Sequence, residues 1–191
     1  MKLRRVVSLL PSATEIICAL GLRDALVGCS HECDFPVDLP KLPALTKPRL
    51  NIAGTSMSVH EDVESLLRQG LSVFEVDAVT LRRLAPDFIV TQAQCDVCAV
   101  TPDDLEYALA SFTGEQPELI SLSPCSLQDV WDSFDLAADA LGVRDASNKL
   151  RMEITERIDK TKKRVASREM PTVACIESVS YTHLRAHETD S

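Results

Sequence analysis

Residues 5–21, RVVSLLPSATEIICALG, constrain the fold more than any other stretch of this chain. Val6, Val7, Leu9 and Leu10 form a short apolar run of a length and β-branched content that suit a buried strand. Pro11 stops the run. Ser12 reads as a helix N-cap, with Glu15 three residues on as the second half of a capping box. Ala13, Ile16, Ile17 and Leu20 then share one helical face, and Gly21 closes the helix. A strand, a tight turn and a helix place that turn at the carboxyl edge of an open α/β sheet, where ligands bind. The spacing predicts that the N–H groups of Ser12, Ala13 and Thr14 face the ligand.

The same alternation continues. Residues 25–28 (ALVG) read as a second strand, 72–76 as a third, 87–90 (DFIV) as a buried fourth and 118–121 (ELIS) as a fifth. Helices are expected from a Ser58 cap to Gln69, around Leu81 and Leu84, and from Thr101-Pro102 onward. This order predicts an α/β fold: a Rossmann-like, mainly parallel sheet with helices on both faces. Residues 30–56 carry Pro36, Pro40, Pro43 and Pro48 and read as a long irregular loop, a kind usually tied to function. From Ser126 the pattern turns helical. A stripe of Leu127, Val130, Phe134, Ala137 and Leu141 precedes a charged helix over 146–167. Pro171 ends that helix, and residues 172–176 (TVACI) read as one more strand.

Charge and length bound the function. The 191 residues carry a net charge of -9, which disfavours both nucleic acid and anionic membrane as partners. No apolar run approaches the roughly 18 residues of a membrane-spanning helix, so membrane insertion is not expected. Pro11, Thr14 and Glu15 interrupt what would be the apolar core of a signal peptide, so the terminus reads as the first strand of a cytoplasmic chain. The seven cysteines are odd in number and follow no secretory pattern, so a disulfide framework is not expected.

Two loops carry groups suited to binding. Residues 30–36 (SHECDFP) follow the second strand, with His31, Glu32 and Cys33 ahead of the aromatic Phe35. Residues 91–98 (TQAQCDVC) follow the fourth. Gln92 and Gln94 can both donate and accept hydrogen bonds, which suits amide-bearing ligands. Cys95 and Cys98 have a metal or redox spacing, and His31 and Cys33 complete a nominal four-ligand set. Against it, His-x-Cys spacing sends its two side chains to opposite sides of an extended chain, and structural zinc sites use tighter knuckles. No Gly-x-Gly turn marks a nucleotide site and no Gly-x-Ser-x-Gly marks a hydrolase. No acid–base–nucleophile set stands out, so a non-enzymatic role is expected.

RVVSLLPSATEIICALGL, LVGCSHECDFP, LPALTKPRLN, FEVDAVTLRRLAPDFIVTQAQCDVCAV and ELISLSPCSLQDVW together resemble the cobalamin/iron-siderophore class of ABC-transporter substrate-binding proteins. They look most like its vitamin B12 binding protein-like subgroup that lacks an export signal. The resemblance covers the chain to about Glu177. It implies two α/β lobes joined by a rigid helix, with the ligand held between them and ABC-transporter membrane subunits as partners. Residues 1–125 then correspond to the first lobe and 126–168 to the connecting helical segment. Residues 169–177 begin a truncated second lobe, and 178–191 look like an unstructured, non-family tail. The resemblance also implies a ligand face made of Pro11, Ser12, Thr14, His31, Glu32, Cys33, Phe35, Gln92, Gln94 and Cys95. The expected ligand is a cobalamin-like corrinoid, with His31 a candidate axial ligand to cobalt. An iron-siderophore is the nearest variant. A cytoplasmic thiol or metal protein using His31, Cys33, Cys95 and Cys98 is the competing class. A periplasmic or extracellular location would follow if an export signal had been lost.

Overall fold

In the computed structural model, residues 4–51, 53–69, 72–92, 102–110, 112 and 115–173 are described. The chain divides into two compact units, Met1–Thr155 and Glu156–Ser191.

The first unit is built on four parallel strands in the order β2-β1-β5-β6. These are β1 (Val6–Ser8), β2 (Leu26–Cys29), β5 (Phe88–Gln92) and β6 (Glu118–Leu122). Ser8 pairs with Cys29 on one side and with Val90 on the other. The chain steps from β1 to β2 in one direction and later enters β5 on the opposite side of β1. A strand order that reverses in this way opens a crevice at the carboxyl ends of the strands.

Alternation of side chains along the strands divides the core in two. Val6, Phe88, Val90, Ile120 and Leu122 pack with Ala13 and Ile17 of α1 (Pro11–Ala19) and with Leu141 beside α5 (Leu127–Ala140). Val7 and Ile89 face the other way. They pack on Leu81 of α3 (Ala78–Leu84) and on Leu105 and Ala108 of α4 (Pro102–Leu109). Helices on both faces satisfy a sheet whose strands are apolar on each side.

Several boundaries differ from the sequence reading. Helix α1 starts at Pro11, not after Ser12; its N-cap is Leu10 in extended conformation, and no side chain caps it. Proline is preorganised for the first helical position, so it overrides the serine as the start signal. The capping box of Ser12 and Glu15 is therefore not formed. The second strand begins one residue later, after a 3-10 turn over Arg23–Ala25. Helix α2 (Ser56–Arg68) starts two residues before Ser58, because the Thr55 hydroxyl accepts the Ser58 N–H at 3.2 Å.

The loop over 30–56 is not wholly irregular. It contains β3 (Thr46–Pro48), which pairs antiparallel with β4 (Phe74–Val76) in a separate two-stranded sheet. The third predicted strand therefore lies outside the parallel sheet. Residues 43–45 also run along the edge of β2, where Leu45 N–H donates to Cys29 O at 2.8 Å and covers that edge.

Helix α5 is capped by Ser126, whose hydroxyl accepts the Asp129 N–H. Helix α6 (Arg144–Val165) follows the turn at Gly142, which sits at φ +69°, a conformation suited to glycine. Asp135 of α5 accepts the Ser147 hydroxyl at 2.6 Å and pairs with Arg151. In the second unit, the closing turns of α6 run into an irregular stretch that includes Thr172 and Val173. The rest of the strand expected over 172–176 lies outside the described residues, as does the tail beyond it.

Candidate functional site at the carboxyl rim

Three adjacent parallel strands deliver their following residues to one edge of the sheet. Leu9 continues β1 and donates its N–H to Val90 O at 2.9 Å. Ser30 and His31 continue β2, and Gln92 ends β5. The turn into α1, the His31 loop and Gln92 therefore share a rim.

On the α1 side, Ser12 is exposed and Pro11 half-buried, while Thr14 is fully buried. The Thr14 N–H is already engaged by Leu10 O at 3.3 Å and Pro11 has none, so only Ser12 and Ala13 present first-turn N–H groups. The N–H expected to be free at Thr14 is therefore already paired within the turn. Its hydroxyl lies 3.1 Å from Cys33 Sγ and 3.5 Å from Leu10 O. With one proton to give, it donates to the sulfur when that is a thiolate. The buried Thr14 hydroxyl thus contacts Cys33.

The loop after β2 is organised by a buried hydroxyl pair. Ser30 Oγ and Thr46 Oγ1 lie 2.9 Å apart. Thr46 Oγ1 also accepts the His31 N–H at 3.1 Å and lies 2.7 Å from His31 Nδ1. The His31 ring packs against Phe74 of β4 at 5.4 Å between centroids. Strands β3 and β4 thus support the imidazole from outside the main sheet. With Nδ1 tied to Thr46, Nε2 remains as the nitrogen for a ligand; a neighbour that fixes the tautomer in this way is common in metal-binding histidines. Glu32 is exposed, and Phe35 is 53% exposed ahead of a cis Phe35-Pro36 bond.

Cys33 turns the other way. Its N–H donates to Ser30 O at 3.2 Å, closing a turn that returns the side chain toward β2 and α1. A hydrogen bond from the Cys29 thiol, aided by the Thr14 hydroxyl and the Ser30 N–H, lowers the Cys33 pKa to about 7, against the opposing effect of burial. The same bond, together with burial, pushes the Cys29 thiol up. Burial also raises Cys18.

His31 and Cys33 have different partners: the ring meets Thr46 and Phe74, and the sulfur meets Thr14. Among the described residues, no group of three or more His, Cys, Asp or Glu side chains gathers for a metal ion. Gln92 is half-buried at the rim; Gln94, Cys95 and Cys98 lie outside the described residues. The supporting residues Thr46 and Phe74 were not evident from the sequence. Thr46 sits in a proline-rich stretch with no periodicity, and only the pairing of β3 with β4 brings both residues to His31.

No protein-family model matches the chain. A vitamin B12-binding protein of Photorhabdus laumondii subsp. laumondii is 31% identical over 96 residues, 44% of this chain and 35% of that protein. The periplasmic heme-binding protein RhuT of Roseiflexus sp. RS-1 superposes with a TM-score of 0.61 at 22% identity, over 88% of this chain and 52% of that one. The periplasmic vitamin B12 binding protein BtuF of Vibrio cholerae superposes with a TM-score of 0.57 at 18% identity, over 86% and 51%. The chain thus spans about half the length of these structures and about a third of the curated relative. Its fold is that of the substrate-binding proteins. The likeness to vitamin B12-binding proteins read from the motifs is met again in the curated relative, and the solved structures share the fold.

Proposed function

We propose that this chain is a non-enzymatic ligand-binding lobe for a corrinoid, cobalamin-like ligand, serving an ABC-type importer. The observation that carries this reading is the shared rim. Ser12 and His31 follow β1 and β2, Gln92 ends the adjacent β5, and the ring of Phe35 is exposed in the His31 loop. A corrinoid is a broad apolar macrocycle edged with amides and centred on a cobalt ion. Phe35 suits the macrocycle, Gln92 suits the amides and His31 Nε2 suits the metal. The name of the curated relative supports this ligand class. Helices α5 and α6 are the connecting segment of this reading, and the membrane subunits of the importer are its partner.

Aquocobalamin is the probe, because an imidazole that replaces its bound water changes its visible spectrum. Titration into the whole chain is expected to give a saturable spectral shift that His31→Ala abolishes. The absence of any shift through the micromolar range would sink the corrinoid assignment. Hemin provides the comparison, since several similar structures are named heme-binding proteins. Saturable binding of hemin without aquocobalamin would reassign the rim to porphyrins.

A further inference from the structure

The charges of the first unit are sorted by the ends of its parallel strands. None of the segments that follow those strands, residues 9–22, 30–40, 93–104 and 123–143, contains a Lys or an Arg. Cations precede the strands instead: Arg4 and Arg5 before β1, Arg23 before β2, Arg82 and Arg83 before β5. Lys41 comes before Pro43, whose carbonyl accepts the Cys29 N–H, and the chain runs parallel to β2 from there toward the rim. Two cations follow Thr46, and both are matched: Lys47 pairs with Glu75 and Arg49 with Asp104. At the rim itself, Glu32 and Asp34 are exposed in the His31 loop, and Glu15 is exposed on α1. Helical side chains lean toward the helix start, which brings Glu15 toward the same edge. The N-terminus of α1 opposes these carboxylates with only roughly half an elementary charge.

These acids border a site and do not make one. We infer, resting on the rim reading above, that the carboxyl rim selects by charge: it admits a neutral or cationic macrocycle and rejects one edged with carboxylates. A corrinoid edged with amides meets no like charge there. A porphyrin carrying propionates, or a ferric chelate of net negative charge, sets its anionic groups against Glu15, Glu32 and Asp34. The segments that follow the strands supply no Lys or Arg to offset them. Like unit charges about 10 Å apart in water-like surroundings weaken affinity about twofold per pair. Several pairs multiply to at least about tenfold, and salt removes the effect, since screening acts over about 8–10 Å at physiological ionic strength.

The test compares one ligand at two charges. Aquocobalamin is a monocation; with its free propionamides hydrolysed to carboxylates it becomes an anion with the same ring, metal and exchangeable water. In visible-spectrum titrations of the whole chain, the carboxylate form is expected to bind at least about tenfold more weakly at low salt, with the gap closing as salt rises. Glu15→Gln/Asp34→Asn is expected to narrow that gap. Glu115→Gln/Glu118→Gln changes the net charge equally, before and at the start of β6, and is expected to leave the gap as it is. Equal affinity for the two forms, or a gap that the second pair narrows as much as the first, would overturn charge selection while leaving corrinoid binding intact. If aquocobalamin gives no shift, the corrinoid reading falls, and iron porphyrins with cationic or anionic side groups take the same comparison through their Soret band. Preference for the cationic porphyrin sustains charge selection. An equal or stronger response to the anionic one, or no response to either, overturns it.

Discussion

The Thr46 hydroxyl lies 2.7 Å from His31 Nδ1 and 3.1 Å from the His31 backbone nitrogen. One buried side chain of the small sheet therefore fixes both the ring and the main chain of the exposed histidine at the rim.

Thr46→Val keeps the shape and removes the hydroxyl. It leaves the His31 N–H and the Ser30 hydroxyl without their partner, at a cost of about 1–3 kcal/mol. The ring also loses its anchor, which for metal-binding histidines typically costs ~10-fold or more in affinity. The aquocobalamin titration is expected to weaken in Thr46→Val while binding saturates at a similar endpoint. Unchanged affinity would show that Thr46 supports the fold alone.

Cys33 gives stability a pH dependence at neutral pH. Its pKa is lowered to about 7 from an ordinary 9.0, so between these values the unfolded chain binds more protons than the folded one. The stability contributed by the thiolate is present above pH 9.0 and is lost as pH falls through about 7. Cys29, shifted upward, acts oppositely and lowers stability above its ordinary 9.0. Urea titrations of the reduced protein are expected to show stability rising from pH 7 to 9. Cys33→Ser is expected to flatten that rise, and an unaltered slope would exclude a folded-state thiolate.

Asp135 ties α5 to α6. Its carboxylate accepts the fully buried Ser147 hydroxyl and pairs with Arg151. The Ser147 bond holds its pKa below the ordinary 3.8, with the two arginines Arg151 and Arg144 adding to the effect. This contribution is present above pH 3.8 and disappears as pH falls through the lower folded value. Asp135→Ala leaves a buried hydroxyl and a cation unpaired and is expected to cost about 2 kcal/mol in thermal or urea unfolding. A loss under half of that would show that the apolar contacts of α5 and α6 suffice.

Ile17 is fully buried where α1 meets the sheet, in the cluster with Val6, Val90 and Leu141. Ile17→Ala is expected to cost about 3 kcal/mol through lost burial and the cavity left behind. Glu15→Ala, one turn edge away on the exposed face, is expected to change stability by less than about 0.5 kcal/mol. Chemical denaturation of the pair checks the orientation of α1 directly.

Residues 5–21 determined the first strand, the turn and the helix on their own, because apolar periodicity and proline act over a few residues. The repeated alternation likewise determined a parallel sheet covered on both faces. Tertiary structure decided the rest. Thr46 and Phe74 reach His31 only because β3 and β4 pair across 25 intervening residues, a contact no local pattern encodes. Cys33 meets Thr14 only because β1 and β2 lie side by side and bring their following loops together. Short-range geometry thus wrote the elements, and the pairing of strands distant in sequence chose which side chains share the rim.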